Sequence, residues 1–83
     1  GGKVAALVKL SCETDFVAKT DDFQDLAREI AMQVASMNPE SVEELLKQNY
    51  IRDSKKTIED LVKEGIAKMG ENIVVSEMIR MAI

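Results

Sequence analysis

The residues with the most chemistry in this chain are a lone cysteine, Cys12, beside Glu13 and Asp15, and three carboxylates spaced as Asp21-Asp22-x-x-Asp25. A thiol becomes a nucleophile when a neighbouring base takes its proton, and aspartates on one helix face can chelate a divalent cation on a diphosphate. The rest of the sequence argues against both. The 83 residues include no histidine to serve as base or nitrogen ligand. Cys12 also alternates in phase with an apolar strand, which points it inward as an inert side chain. The aspartates stand where a helix should begin, and there capping and the helix dipole favour acids for ordinary reasons. An enzyme is therefore not expected, and neither is a metal or other cofactor.

The aromatic residues say more. The chain has two Phe and one Tyr. Phe23 falls into register with a helical apolar stripe and reads as core, whereas Phe16 precedes that stripe, in the first turn after a strand. With Thr14 capping the turn, Asp15, Phe16 and Val17 follow at steps of about 100°. Phe16 and Val17 then cannot share one narrow inward stripe, so one turns in and the other projects. A single Phe is usually core, but this position makes Phe16 a side chain offered to something else.

The elements around this corner follow from periodicity. Val4, Ala6, Val8, Leu10 and Cys12 alternate with Lys3, Lys9 and Ser11 in the pattern of a half-buried strand, with Leu7 the apolar exception on the wet side. Asp21, with Gln24 reaching back, is expected to cap a helix running to about Met37, with Phe23, Ala27, Ile30, Val34 and Met37 inward and Arg28 and Glu29 outward. Asn38-Pro39 stops it. Ser41 and Glu44 form the signature of a capping box for a short second helix with Val42, Leu45 and Leu46, and a Glu43–Lys47 pair. The polar stretch 49–56 reads as a connection anchored by Tyr50 and Ile51. Thr57 and Asp60 repeat the capping signal for a helix with Ile58, Leu61, Val62, Ile66 and Met69 inward and Glu59–Lys63 and Glu64–Lys68 pairs outside, ended by Gly70. Ile73, Val75, Ile79, Met81 and Ile83 then line one face of a last strand, with Ser76 and Arg80 opposite and Glu77 marking a bulge or edge.

The expected fold is α+β, a two-layer sandwich of a small antiparallel sheet covered by helices in the order β-α-α-α-β. Residues 1–83 form a single domain in this reading. Two strands alone make a marginal sheet, so a third strand, a missing arm or a neighbouring chain should complete it. Gly1-Gly2, directly before the strand, resembles a hairpin turn whose first arm is absent, and truncation at the N-terminus is expected.

Charge and composition narrow the partners. Eleven Lys and Arg against 15 Asp and Glu give a net charge of -4, a poor footprint for phosphate backbones, so direct nucleic-acid binding is not expected. No apolar run approaches the roughly 20 residues needed to span a bilayer. The lone cysteine fits a reducing compartment.

Cys12-Glu13-Thr14-Asp15-Phe16-Val17-Ala18-Lys19, placed after an apolar strand, resembles the signature of bacterial-type elongation factor Ts. Ile66-Ala67-Lys68-Met69-Gly70-Glu71-Asn72-Ile73 is similar to that family's second signature. The likeness runs through nearly the whole chain, as the core or dimerisation region of the family. It implies a guanine-nucleotide exchange factor of translation elongation, cytoplasmic or in an organellar matrix, whose partner is elongation factor Tu. Asp15 and Phe16 would contact the GTPase domain, the ring entering a hydrophobic pocket beside the nucleotide site, with Met69 and Gly70 touching the same domain. Thr14 and Val17 would support the projecting turn. Family members also carry a helical N-terminal module and a coiled-coil insertion that this sequence does not show. The competing expectation is a structural module that self-associates through a strand edge without exchange activity of its own.

Overall fold

The computed structural model of the chain describes residues 3–82; Gly1-Gly2 and Ile83, and what was expected of them, lie outside the described residues. The elements are β1 (Val4–Ser11), α1 (Asp15–Ala18), α2 (Asp21–Met37), α3 (Val42–Lys47), β2 (Asn49–Tyr50), β3 (Asp53–Thr57), α4 (Ile58–Met69) and β4 (Val74–Ala82). β1 pairs antiparallel with β4, β2 pairs antiparallel with β3, and the helices lie between the first and last strands in sequence. The architecture is the expected mixed α+β type. The polar stretch expected to be a connection instead folds as the β2–β3 hairpin.

The core is built by α2 lying on the inner face of β1 and β4, with α3 and α4 packed beside it. Phe23, Leu26, Ile30 and Val34 of α2 meet Ile58 and Val62 of α4, Leu45 of α3, Tyr50, Ile73 and Val75. Leu26 and Gln33 occupy buried positions of α2 that the expected stripe omitted, while Met37 is exposed. Gln33 is fully buried and polar, and it is satisfied by the hairpin: its amide nitrogen donates to the Asn49 carbonyl at 2.9 Å, and its oxygen accepts from Ile51 N–H at 3.0 Å. The polar stretch becomes ordered because a buried side chain supplies its hydrogen bonds.

Helix ends mostly follow the sequence. Thr57 and Asp60 form a reciprocal capping box, with N–H to side-chain distances of 3.1 and 3.0 Å. Asn38 closes α2 in the left-handed conformation, at φ 47°. Three details differ. Thr20, not Asp21, caps α2, and the Gln24 amide donates to the Ala18 carbonyl at 2.8 Å rather than back to the cap. Glu44 accepts from Glu40 N–H at 2.8 Å, one residue before the Ser41 cap. Glu64 and Lys68 do not pair: Lys68 reaches Asp22 at 3.2 Å and Glu64 reaches Lys56 at 2.9 Å, so both tie α4 to neighbouring elements.

The largest departure is in β4. Lys9 pairs with Glu77 but Leu10 pairs with Val75, leaving Ser76 as the extra residue of a bulge. One extra residue reverses the parity of all that follows. Ile73 and Val75 face the core as expected, but beyond the bulge it is Met78 and Arg80 that turn inward, while Ile79 and Met81 turn out. Arg80 Nε donates to the Ala35 carbonyl at 3.1 Å, placing a cation at the C-terminal end of α2. Leu7, at 69% exposure, pairs across the sheet with Ile79, so the outer face carries an apolar row of Leu7, Ile79 and Met81.

Candidate functional site

The corner between β1 and α2 is a single helical turn, and one turn is too short to hold itself together. Its i→i−4 bonds are long, with Ala18 N–H to the Thr14 carbonyl at 3.4 Å and Lys19 N–H to the Asp15 carbonyl at 3.3 Å, and only Thr20 N–H closes on the Val17 carbonyl at 3.0 Å. Order comes from both sides. On the C-terminal side Thr20 does two jobs: its hydroxyl donates to the Val17 carbonyl at 2.7 Å and accepts from Phe23 N–H at 3.2 Å, so it closes α1 and opens α2. Gln24 holds the Ala18 carbonyl.

On the N-terminal side the brace comes from the far end of the chain. Glu71 Oε1 accepts from the backbone N–H groups of Glu13 and Thr14 at 3.1 and 2.9 Å, and Oε2 accepts from the Thr14 hydroxyl at 2.6 Å. Glu13 returns the contact by accepting from Asn72 N–H at 3.0 Å. The two sequence motifs are thereby stitched into one surface.

Within this frame the side chains separate as the geometry of a turn requires. Val17 packs against the core, and Phe16 is 86% exposed, the most exposed large apolar side chain among the described residues. Asp15 is exposed at the start of the turn. Thr14 caps α1, its hydroxyl oxygen facing Val17 N–H at the long distance of 3.5 Å. Met69 is half-buried against the core, and Gly70 is exposed at φ 75°, its N–H closing α4 on the Ile66 carbonyl at 2.9 Å. Asp15 and Phe16 directly follow, and Met69 and Gly70 directly precede, the residues that the Glu71 carboxylate joins.

The other chemistry-bearing residues are engaged elsewhere. Cys12 is half-buried, with its sulfur 3.2 Å from the Thr14 carbonyl. Asp22 pairs with Lys68, and Asp25 pairs with Arg28 at 2.7 Å. Among the described residues no group of three or more His, Cys, Asp or Glu side chains is placed to hold a metal ion, and no helix is long and apolar enough to cross a membrane. The displaced titrations lie away from the corner. Burial and a hydrogen bond to Glu29 push the Tyr50 phenol up, and the Glu64 carboxylate raises Lys56. The Thr57 backbone N–H holds Asp60 below its ordinary value.

Phe16 projects and Val17 turns inward as the spacing predicts, whereas the roles of Glu71 and Thr20 in holding the turn are unexpected. Thr20 was legible as a Thr three residues before Phe23, the spacing of an N-cap. Glu71 left no local signal, since its partners are 57 and 58 residues away.

The exposed ring of Phe16 on an ordered turn is the feature that sets this corner apart. The chain belongs to the elongation factor Ts family: residues 13–83 match the family model described as Elongation factor TS. It is 45% identical over its whole length to an elongation factor Ts of Nostoc sp. (strain PCC 7120), covering 26% of that protein. It is 40% identical to that of Coprothermobacter proteolyticus, over 95% of this chain and 63% of the relative. That second alignment extends over 124 positions, more than the chain contains, so the relative carries residues interposed within the matched region. A third relative, from Trichlorobacter lovleyi, is 41% identical over 94% of this chain and 25% of its own length. The chain thus spans less than two thirds of the relatives it matches.

Proposed function

We propose that this chain is the part of a guanine-nucleotide exchange factor that docks on the GTPase domain of elongation factor Tu, with Phe16 entering a pocket beside the nucleotide site and promoting GDP release. The observation that carries the reading is the 86% exposure of Phe16 on a turn braced from both sides. Asp15, Met69 and Gly70 would make further contacts with the same domain, while Thr14 and Val17 would seat the turn. This is work in translation elongation, done without a bond being made or broken by the chain.

An exchange factor acts by binding the nucleotide-free partner better than the nucleotide-bound one, and linkage makes nucleotide weaken the factor's binding by the same ratio. Burial of a phenylalanine ring contributes roughly 1.5–3 kcal/mol from area alone. An anchor of that size that fits only the open state of a pocket supplies the required difference in affinity. The test is release of a fluorescent GDP from preloaded elongation factor Tu, with affinities for the nucleotide-free and GDP-bound forms measured separately. The expected result is tighter binding to the nucleotide-free form and faster release, both reduced by Phe16→Ala. Absence of binding to either form overturns the proposal.

One observation favours a second reading. Leu7, Ile79 and Met81 leave an uncovered apolar row on the outer face of the sheet, as a self-associating structural module would. That reading predicts concentration-dependent oligomers in sedimentation and unchanged GDP release.

A further inference from the structure

Glu71 makes three hydrogen bonds to the Glu13-Thr14 segment, the two backbone N–H groups and the Thr14 hydroxyl all converging on its carboxylate. Bonds from backbone N–H groups to a carboxylate are charge-assisted and stronger than neutral ones. The turn they reach is four residues long and its two i→i−4 bonds are long, at 3.4 and 3.3 Å, so the direction of Phe16 leans on its external anchors. The anchor on the C-terminal side, Thr20, is the N-cap of α2, the element that directly follows the turn. Glu71 is different, because it ties the entry of the turn to the end of α4 and fixes the turn relative to a second element. Glu13 closes the loop by accepting from Asn72 N–H.

We propose that Glu71 is a positioning residue for Phe16: it holds the ring in its docking direction before the partner arrives, and so removes an ordering cost that would otherwise be met on binding. The inference rests on the docking role given to Phe16 above. Glu71 itself need not touch the partner. Its effect should pass through the ring, which separates it from a residue that contributes only its own contact or only fold stability.

The test is a double-mutant cycle of Glu71→Ala and Phe16→Ala, read as affinity for nucleotide-free elongation factor Tu at a temperature where circular dichroism shows all four proteins folded. Expected is a loss of about tenfold from Glu71→Ala when Phe16 is present and less than about twofold when it is absent, the non-additivity of residues that act together. Glu71→Gln, whose carbonyl still accepts the two N–H groups, should stay within about threefold of the original affinity. Equal losses in both backgrounds, or no loss with Phe16 present, overturn the proposal. If Phe16→Ala alone leaves affinity unchanged, the docking reading is what has failed. The brace is then judged on the free protein, by backbone order parameters of residues 15–18. A fall in Glu71→Ala with α4 unaffected upholds the brace, and unchanged order overturns it.

Discussion

Thr14 and Glu71 are joined by two hydrogen bonds to one carboxylate, from the backbone N–H at 2.9 Å and from the hydroxyl at 2.6 Å, although 57 residues separate them. The hydroxyl hydrogen is committed to Glu71. Its oxygen meets Val17 N–H only at 3.5 Å, so the link to Glu71 is the stronger of its two contacts. Thr14→Val preserves the branched shape and removes both, and it is expected to destabilise the protein by about 1–2 kcal/mol. Thr14→Ser should stay close to the original. Urea denaturation of the two variants checks this, and equal midpoints would show that the hydroxyl contributes nothing.

Phe16 and Val17 are adjacent in sequence but opposite in environment, one exposed and one packed on the core. Phe16→Ala should change the unfolding free energy by less than about 0.5 kcal/mol, as for surface sites. Its affinity for nucleotide-free elongation factor Tu should fall by about 2 kcal/mol, roughly thirtyfold. Val17→Ala should do the reverse, losing about 1 kcal/mol of stability with a smaller change in affinity. Thermal unfolding and titration binding on the same two proteins decide it; parallel losses in Phe16→Ala would assign the ring to the core.

What was readable in the sequence was whatever depends on near neighbours. The Thr57–Asp60 box, the stop at Asn38, the inward parity of β1 and the split between Phe16 and Val17 each follow from a few consecutive residues. The misread features depend on distant partners. Whether Ser76 bulges is decided by how β4 pairs with β1, and that single residue turned Ile79 and Met81 outward and Arg80 inward. Gln33 is buried because the backbone groups it serves, the Asn49 carbonyl and Ile51 N–H, lie beyond another helix, where no local pattern points to them. Thr20 and Asp21 are both good caps, and single-position ambiguity at a helix start is ordinary.

Gln33 also yields a prediction about the hairpin. Gln33→Leu keeps the apolar volume but leaves Ile51 N–H and the Asn49 carbonyl without their partner, at an expected cost of about 2–3 kcal/mol. The damage should be local as well as global. Amide hydrogen exchange at Ile51 should accelerate more than at residues of α4, and uniform acceleration would show that Gln33 serves the core rather than the hairpin.

Asp60 makes the protein's acid stability testable at one residue. Its carboxylate accepts Thr57 N–H at 3.0 Å in the folded state, which lowers its pKa from the ordinary 3.8. A carboxyl with a depressed folded pKa contributes stability that is fully present above its unfolded value and is lost as pH falls through the folded one. Asp60→Asn can still accept the same N–H through its amide oxygen but cannot titrate. The original protein should therefore be the more stable of the two near neutrality, and its advantage should shrink as pH drops from about 5 and vanish once the carboxylate is protonated. Thermal midpoints of both proteins measured across that range test the assignment. A gap that stays constant into acid would mean that the cap is held by shape and hydrogen bonding alone, with no contribution from the charge of Asp60.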